Sequence, residues 1–146
     1  MNDSRVKCES YKDIVRVTAY DDSSLTFVAP FAVFSQFINE SMFSITGSGI
    51  NLLGSNGTAE LSSSTVVSRG GRKIRNELKC SDVILSDDEI QSLQRKNHHL
   101  LCECLSGSLI LVRSVQEGWN FSSEDKNGIK DLSITIENIG GAQKVV

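Results

Sequence analysis

The chain has 146 residues, 39% of them hydrophobic and 23% charged, with a formal net charge of −3. That is the composition of one globular domain with enough core to fold without a metal or a disulfide, and it excludes wholesale disorder. A mildly acidic balance gives no general reason to seek nucleic acid or an anionic membrane as partner, and no apolar run approaches the roughly 20 residues of a membrane-spanning helix.

The first stretch, MNDSRVKCESYKD, has no apolar core and is not a signal peptide. The expectation is a cytoplasmic or otherwise intracellular chain whose cysteines, Cys8, Cys80, Cys102 and Cys104, are reduced. KDIVRVTAY at 12–20 carries β-branched residues with Val15, Val17 and Ala19 on one face, and LTFVA follows after a turn of Asp and Ser, which reads as a hairpin. Pro30 then opens a stretch with Phe31, Phe34 and Ile38 in one helical stripe, so a short helix near 30–38 is predicted to plug the core.

Short strands resume at 42–46, 50–53 and 58–67, with Asn56-Gly57 as a hairpin turn between the last two. In the longest of these, Ala59, Leu61, Ser63, Thr65 and Val67 face one way and Thr58, Glu60, Ser62 and Ser64 the other. That is the pattern of an antiparallel sheet wetted on one side. The segment SRGGRKIRNELK at 68–79 holds five of the fifteen Lys and Arg residues against one Glu77, so it carries +4 and the remainder of the chain −7. It reads as an insertion, flexible at Gly70-Gly71 and helical over 73–79, where Ile74 and Leu78 are spaced i, i+4.

SDVIL at 81–85 is a further strand, and LSDDEIQSLQRKN begins a helix over 87–96. Ser86 and Glu89 form a capping box, Leu85 and Ile90 a hydrophobic staple, and the charges at both ends oppose the helix dipole. LLCECL and LILVRSV flank Ser106-Gly107-Ser108 as a buried hairpin. Residues 116–128 are polar apart from Trp119 and Phe121 and read as a long loop. DLSITIENI at 131–139 is the last strand, and the chain is expected to be loose from about 140. The fold class is mainly β and antiparallel, sandwich- or barrel-like, with two short helices near 30–38 and 87–96; the alternative is α+β. The whole chain is expected to form a single domain.

The chemistry-bearing residues are few. His98, His99, Cys102 and Cys104 crowd together, with Cys80 a candidate third sulfur, but the spacing C-x21-C-x-C matches no zinc framework, so no metal or other cofactor is expected. There is no Walker loop, dinucleotide fingerprint or nucleophile elbow. Asp87, Asp88 and Glu89 are accounted for by the helix start.

The expected function is a non-enzymatic β-rich interaction or assembly protein of the accessory type found in viruses, phages and pathogens. It would pair with itself as a homo-oligomer or with another protein, with Trp119 and Phe121 as contact residues. The alternative is an RNA or single-stranded DNA binder using Arg69, Arg72, Lys73, Arg75 and Lys79 on phosphates. No membrane partner is expected.

Overall fold

The computed structural model describes residues 8–27, 37–53, 57–68, 71–114 and 118–146. Two antiparallel sheets lie face to face. The first has the order β1 (Cys8–Tyr11), β7 (Thr58–Ser68), β8 (Gly71–Val83), β12 (Ile129–Asn138), β11 (Trp119–Lys126). The second has the order β4 (Phe37–Ile38), β13 (Ala142–Val145), β10 (Leu109–Val112), β9 (His98–Cys104), β2 (Ile14–Asp21), β6 (Ile50–Asn51), with only β4–β13 parallel. Each sheet ends in two separate edge strands, so this is a sandwich and not a closed barrel.

Alternation decides what each sheet buries. From the first sheet, Ala59, Leu61, Leu78, Cys80, Leu132, Ile134 and Ile136 point inward. They meet Val17, Ala19, Leu100, Cys102, Ile110 and Val112 of the second. The other face of the second sheet is covered in part. A small third layer, β3 (Leu25–Phe27) paired with β5 (Phe43–Ile45), lies over it, and Leu25 and Ile38 pack on Leu111. β10 is therefore buried on both faces, which is why its sequence, LILV, is apolar without alternation.

The helix α1 (Asp87–Arg95) is where the sequence places it. Ser86 Oγ accepts from the Glu89 amide at 3.2 Å, and Glu89 Oε1 accepts from the Ser86 amide at 2.9 Å. Leu93 on its inner side is fully buried.

Several expectations are corrected. The segment 71–79 is not an insertion or a helical turn but most of β8, a 13-residue strand paired along its length with β7. The stretch 81–83 is the end of that strand, not a separate one. The expected loop 116–128 holds β11, and the expected loose tail holds β13, which pairs with β10 and β4. The turn after β2 forms, with Asp21 Oδ1 accepting from the Ser23 and Ser24 amides at 3.1 and 3.0 Å. It opens no hairpin, because β3 pairs with β5 and β2 with β9 and β6. Nor do the strands on either side of Asn56-Gly57 pair with each other; β6 lies on β2. The helix near 30–38 falls mainly outside the described residues, and its last two, Phe37 and Ile38, are strand β4 instead.

A buried polar knot ties the two sheets at one end. Ser63 Oγ donates to Asn76 Oδ1 at 2.7 Å, and Asn76 Nδ2 donates to Ile136 O at 2.9 Å and Asn138 Oδ1 at 3.1 Å. Asn138 Nδ2 reaches across to Arg113 O at 2.8 Å, and its Oδ1 accepts the Gly141 amide at 2.7 Å. Gly141 has φ +70, and a Cβ there would stand 3.0 Å from Ile74 Cδ1, so this turn into β13 requires glycine.

Candidate interaction surface

The basic residues of β8 divide by alternation. Lys73, Arg75 and Lys79 share the outer, solvent face of the first sheet with Glu77, while Arg72 belongs to the opposite row, across from Val67 at the hairpin tip. Arg69 lies outside the described residues. The neighbouring strands put acids among the bases. Lys79 stands opposite Glu60 and 3.5 Å from Glu77 Oε1, and Arg75 lies 3.7 Å from Glu137 Oε2. Three cations and three carboxylates thus interleave on this face. The sequence shows the bases as a cluster because it cannot show that Glu60 and Glu137 come alongside them.

Trp119 and Phe121 do sit together, but not on a loop. They are the inward row of β11, half-buried against the main core. The Trp119 indole N–H donates to Leu93 O of α1 at 2.7 Å, and its ring lies 5.5 Å from that of His98. They anchor the strand.

What β11 offers is its backbone. Asn127 and Gly128 both have positive φ, 57 and 89, and form a two-residue turn that pairs Lys126 with Ile129. In such a hairpin the even residues of β11 exchange hydrogen bonds with β12, and the 2.9 Å bond from the Glu137 amide to Gly118 O continues that phase. The amides and carbonyls of Trp119, Phe121, Ser123 and Asp125 therefore point away from the sheet. Among the described residues no strand pairs with that side. The other sheet edges are short, with four residues in β1 and two each in β4 and β6, whereas β11 has eight.

The Cys/His region is a structural interior. Cys80, Cys102 and Cys104 are free and buried. Burial pushes the Cys80 thiol up to about 12 and raises Cys102 and Cys104 as well, so none offers a thiolate near neutrality. Among the described residues no group of three or more His, Cys, Asp or Glu is placed to hold a metal ion.

His99, Asp22 and Ser114 meet in space, but they do not form a nucleophilic relay. His99 Nδ1 accepts the Ser114 backbone amide at 3.0 Å, not its hydroxyl, and Ser114 Oγ is buried with no hydrogen-bond partner.

Among the described residues no helix is long and apolar enough to cross a membrane. No family model matches the chain, and neither the curated proteins nor the solved structures contain a match to it.

Proposed function

We propose that this chain is a non-enzymatic interaction module that self-associates by pairing the β11 edges of two copies about a two-fold axis. The observation that carries the reading is the eight-residue edge itself, held rigid by the Trp119–Leu93 bond and the Asn127-Gly128 turn. Such an edge is a template for strand addition.

Phase restricts the register to axes that fall at a residue. Only residues with outward backbone groups can face one another in hydrogen-bonded pairs, so odd residues must oppose odd ones. An axis at Ser122 places Phe121 against Ser123, Trp119 against Asp125 and Asn120 against Glu124. No like charges oppose. An axis at Glu124 would set that carboxylate against itself, which disfavours it. The product is one continuous sheet of ten strands.

Size-exclusion light scattering over a concentration series tests this. A dimer that dissociates on dilution is expected. Ser123→Pro removes an outward amide without touching the β12 ladder and should leave a folded monomer. A wild-type chain that stays monomeric at high concentration would sink the proposal. Ser122→Cys then reads the register: with the axis at Ser122 the two thiols face each other at disulfide distance.

A second reading, single-stranded nucleic acid along Lys73, Arg75 and Lys79, rests on their shared face. It ranks below the first because Glu60, Glu77 and Glu137 stand among them. Filter binding at low salt separates the two readings, since phosphate contacts would give affinity a salt slope near −0.7 per contact.

A further inference from the structure

β9 begins with two adjacent imidazoles, His98 and His99, both almost wholly buried. Alternation sends them to opposite faces of the second sheet. His98 faces α1 and β11. Its Nδ1 lies 2.9 Å from Lys96 O, an acceptor, so Nδ1 carries the proton; its Nε2 lies 3.4 Å from Ser92 Oγ, a hydroxyl able to donate or accept. This ring can gain a second proton without losing a partner.

His99 faces the third layer, and its partners are fixed the other way. Its Nδ1 accepts the Ser114 amide at 3.0 Å, and its Nε2 lies 2.8 Å from Asp22 Oδ1. An amide can only donate and a carboxylate accepts, so the ring is the neutral Nε2–H tautomer. The Phe27 ring meets it edge-on at 5.3 Å, and the Arg113 guanidinium lies 3.9 Å over Phe27. A second proton could go only to Nδ1, where it would point at the Ser114 N–H. Charging the ring and keeping that bond are mutually exclusive.

We infer that His99 is an acid-opened latch: a proton taken up at Nδ1 expels the Ser114 amide and frees the chain leaving β10 from the start of β9. The same proton places a charge beside Arg113, loading the Phe27 contact that holds the third layer.

The charged groups around the ring set where it opens. Burial opposes the proton most, and Arg113 and His98 oppose it further. Asp22, on the turn after β2, favours it through its hydrogen bond and its charge, but its side chain is 80% exposed and water screens it. Asp21 on the same turn and Lys96 after α1 act on His98 with opposite signs. The balance holds His99 below its ordinary value near 6.5. The His99–Asp22 contact is thus a hydrogen bond from a neutral ring, not an ion pair.

Heteronuclear NMR tests the latch in the full chain. At about pH 7.5 the His99 ring nitrogens should report the Nε2–H tautomer, and the Ser114 amide should be protected from exchange. As pH falls toward about 5, the Ser114 protection factor should drop about tenfold for each pH unit below the His99 midpoint, while the amide of Leu61 in the first sheet keeps its protection. His99→Asn keeps an acceptor near Nδ1 that cannot be charged, and should hold the Ser114 protection factor constant over that range. Ser114 protection that persists while His99 is charged overturns the inference, as does a titration at or above about 6.5. A drop that survives in His99→Asn overturns it too. If that variant does not fold, the two wild-type measurements still decide. The latch needs no second copy, so it can fail or hold independently of the edge pairing.

Discussion

The two sheets of this sandwich are finished to different degrees. The second is enclosed at β10, which is buried on both faces under the third layer, and its edges are strands of two residues; only the Arg16–Glu103 side of its outer face stays wet. The first is sealed on one face only, its outer face is wet and charged, and one margin runs eight residues with no strand beside it among the described residues. Stability concentrates where side chains are enclosed on both sides, and interaction capacity where backbone groups remain unpaired. The same strand chemistry serves both ends, depending on what covers it.

The sharpest way to break this contrast is at β10. Leu111→Ala empties a site in the third-layer core and should cost about 3 kcal/mol in urea unfolding, whereas Ile45→Ala on the exposed rim of the third layer should cost less than about 0.5 kcal/mol. Equal costs would mean that the third layer does not enclose β10.

Next in size is the polar knot between the sheets. Asn138→Ala removes one acceptor from the Asn76 side-chain amide and the acceptor of the Gly141 N–H together, with an expected loss of about 2–3 kcal/mol by the same measurement. A near-neutral result would show that the sheets are joined by apolar contact alone.

The open margin gives a paired test. Ser122→Pro removes an amide from the β11–β12 ladder and should destabilise by about 3 kcal/mol, while Ser123→Pro, one residue along, should cost less than about 1 kcal/mol and change the molecular mass in solution instead. If both behave alike, the phase assigned to β11 is wrong.

A smaller and pH-dependent effect belongs to His98 and His99, each held below its ordinary value chiefly by burial. Unfolded imidazoles bind protons more readily than these folded ones, so protons are taken up on unfolding. Their contribution is complete above about pH 6.5 and is lost as pH falls through the folded values. Chemical denaturation at stepped pH should show a plateau above that point and a decline below it, and a decline on the alkaline side instead would reverse the sign. The smallest effect expected is Arg75→Ala, within about 0.5 kcal/mol, because its Glu137 partner lies on the wet face.

How much of this was legible in the sequence depended on what each residue pattern encodes. The alternation over Thr58–Ser68, the capping box at Ser86 and the unbroken apolar run at Leu109–Val112 are local signatures, and each became the element expected. β8 is ambiguous in the sequence because Ile74 and Leu78 fit a helical spacing, yet Ile74, Asn76, Leu78 and Cys80 also fit a spacing of two, and tertiary pairing with β7 and β12 chose the second. β11 is faint in the sequence because an edge strand needs few apolar residues. Its signal was Asn127-Gly128, the hairpin dipeptide, followed by a strong strand. The polar knot and the His99 contacts join residues far apart in the chain, with Asn76 and Asn138 62 positions apart and Asp22 and His99 77 apart. Nothing local announces them.

The Asn127-Gly128 turn has a consequence for the chemistry at the rim. Two residues is the shortest loop that closes this hairpin, so removing Asn127 would oblige β11 to slip by one position against β12. A slip of one turns the strand over. Asn120, Ser122 and Glu124 would be driven toward the core, Trp119 and Phe121 into water, and the amides now engaged with β12 would face outward. The aromatic pair at one end of the strand and the turn at the other therefore count the same reading frame. That frame decides which four amides β11 shows to its surroundings.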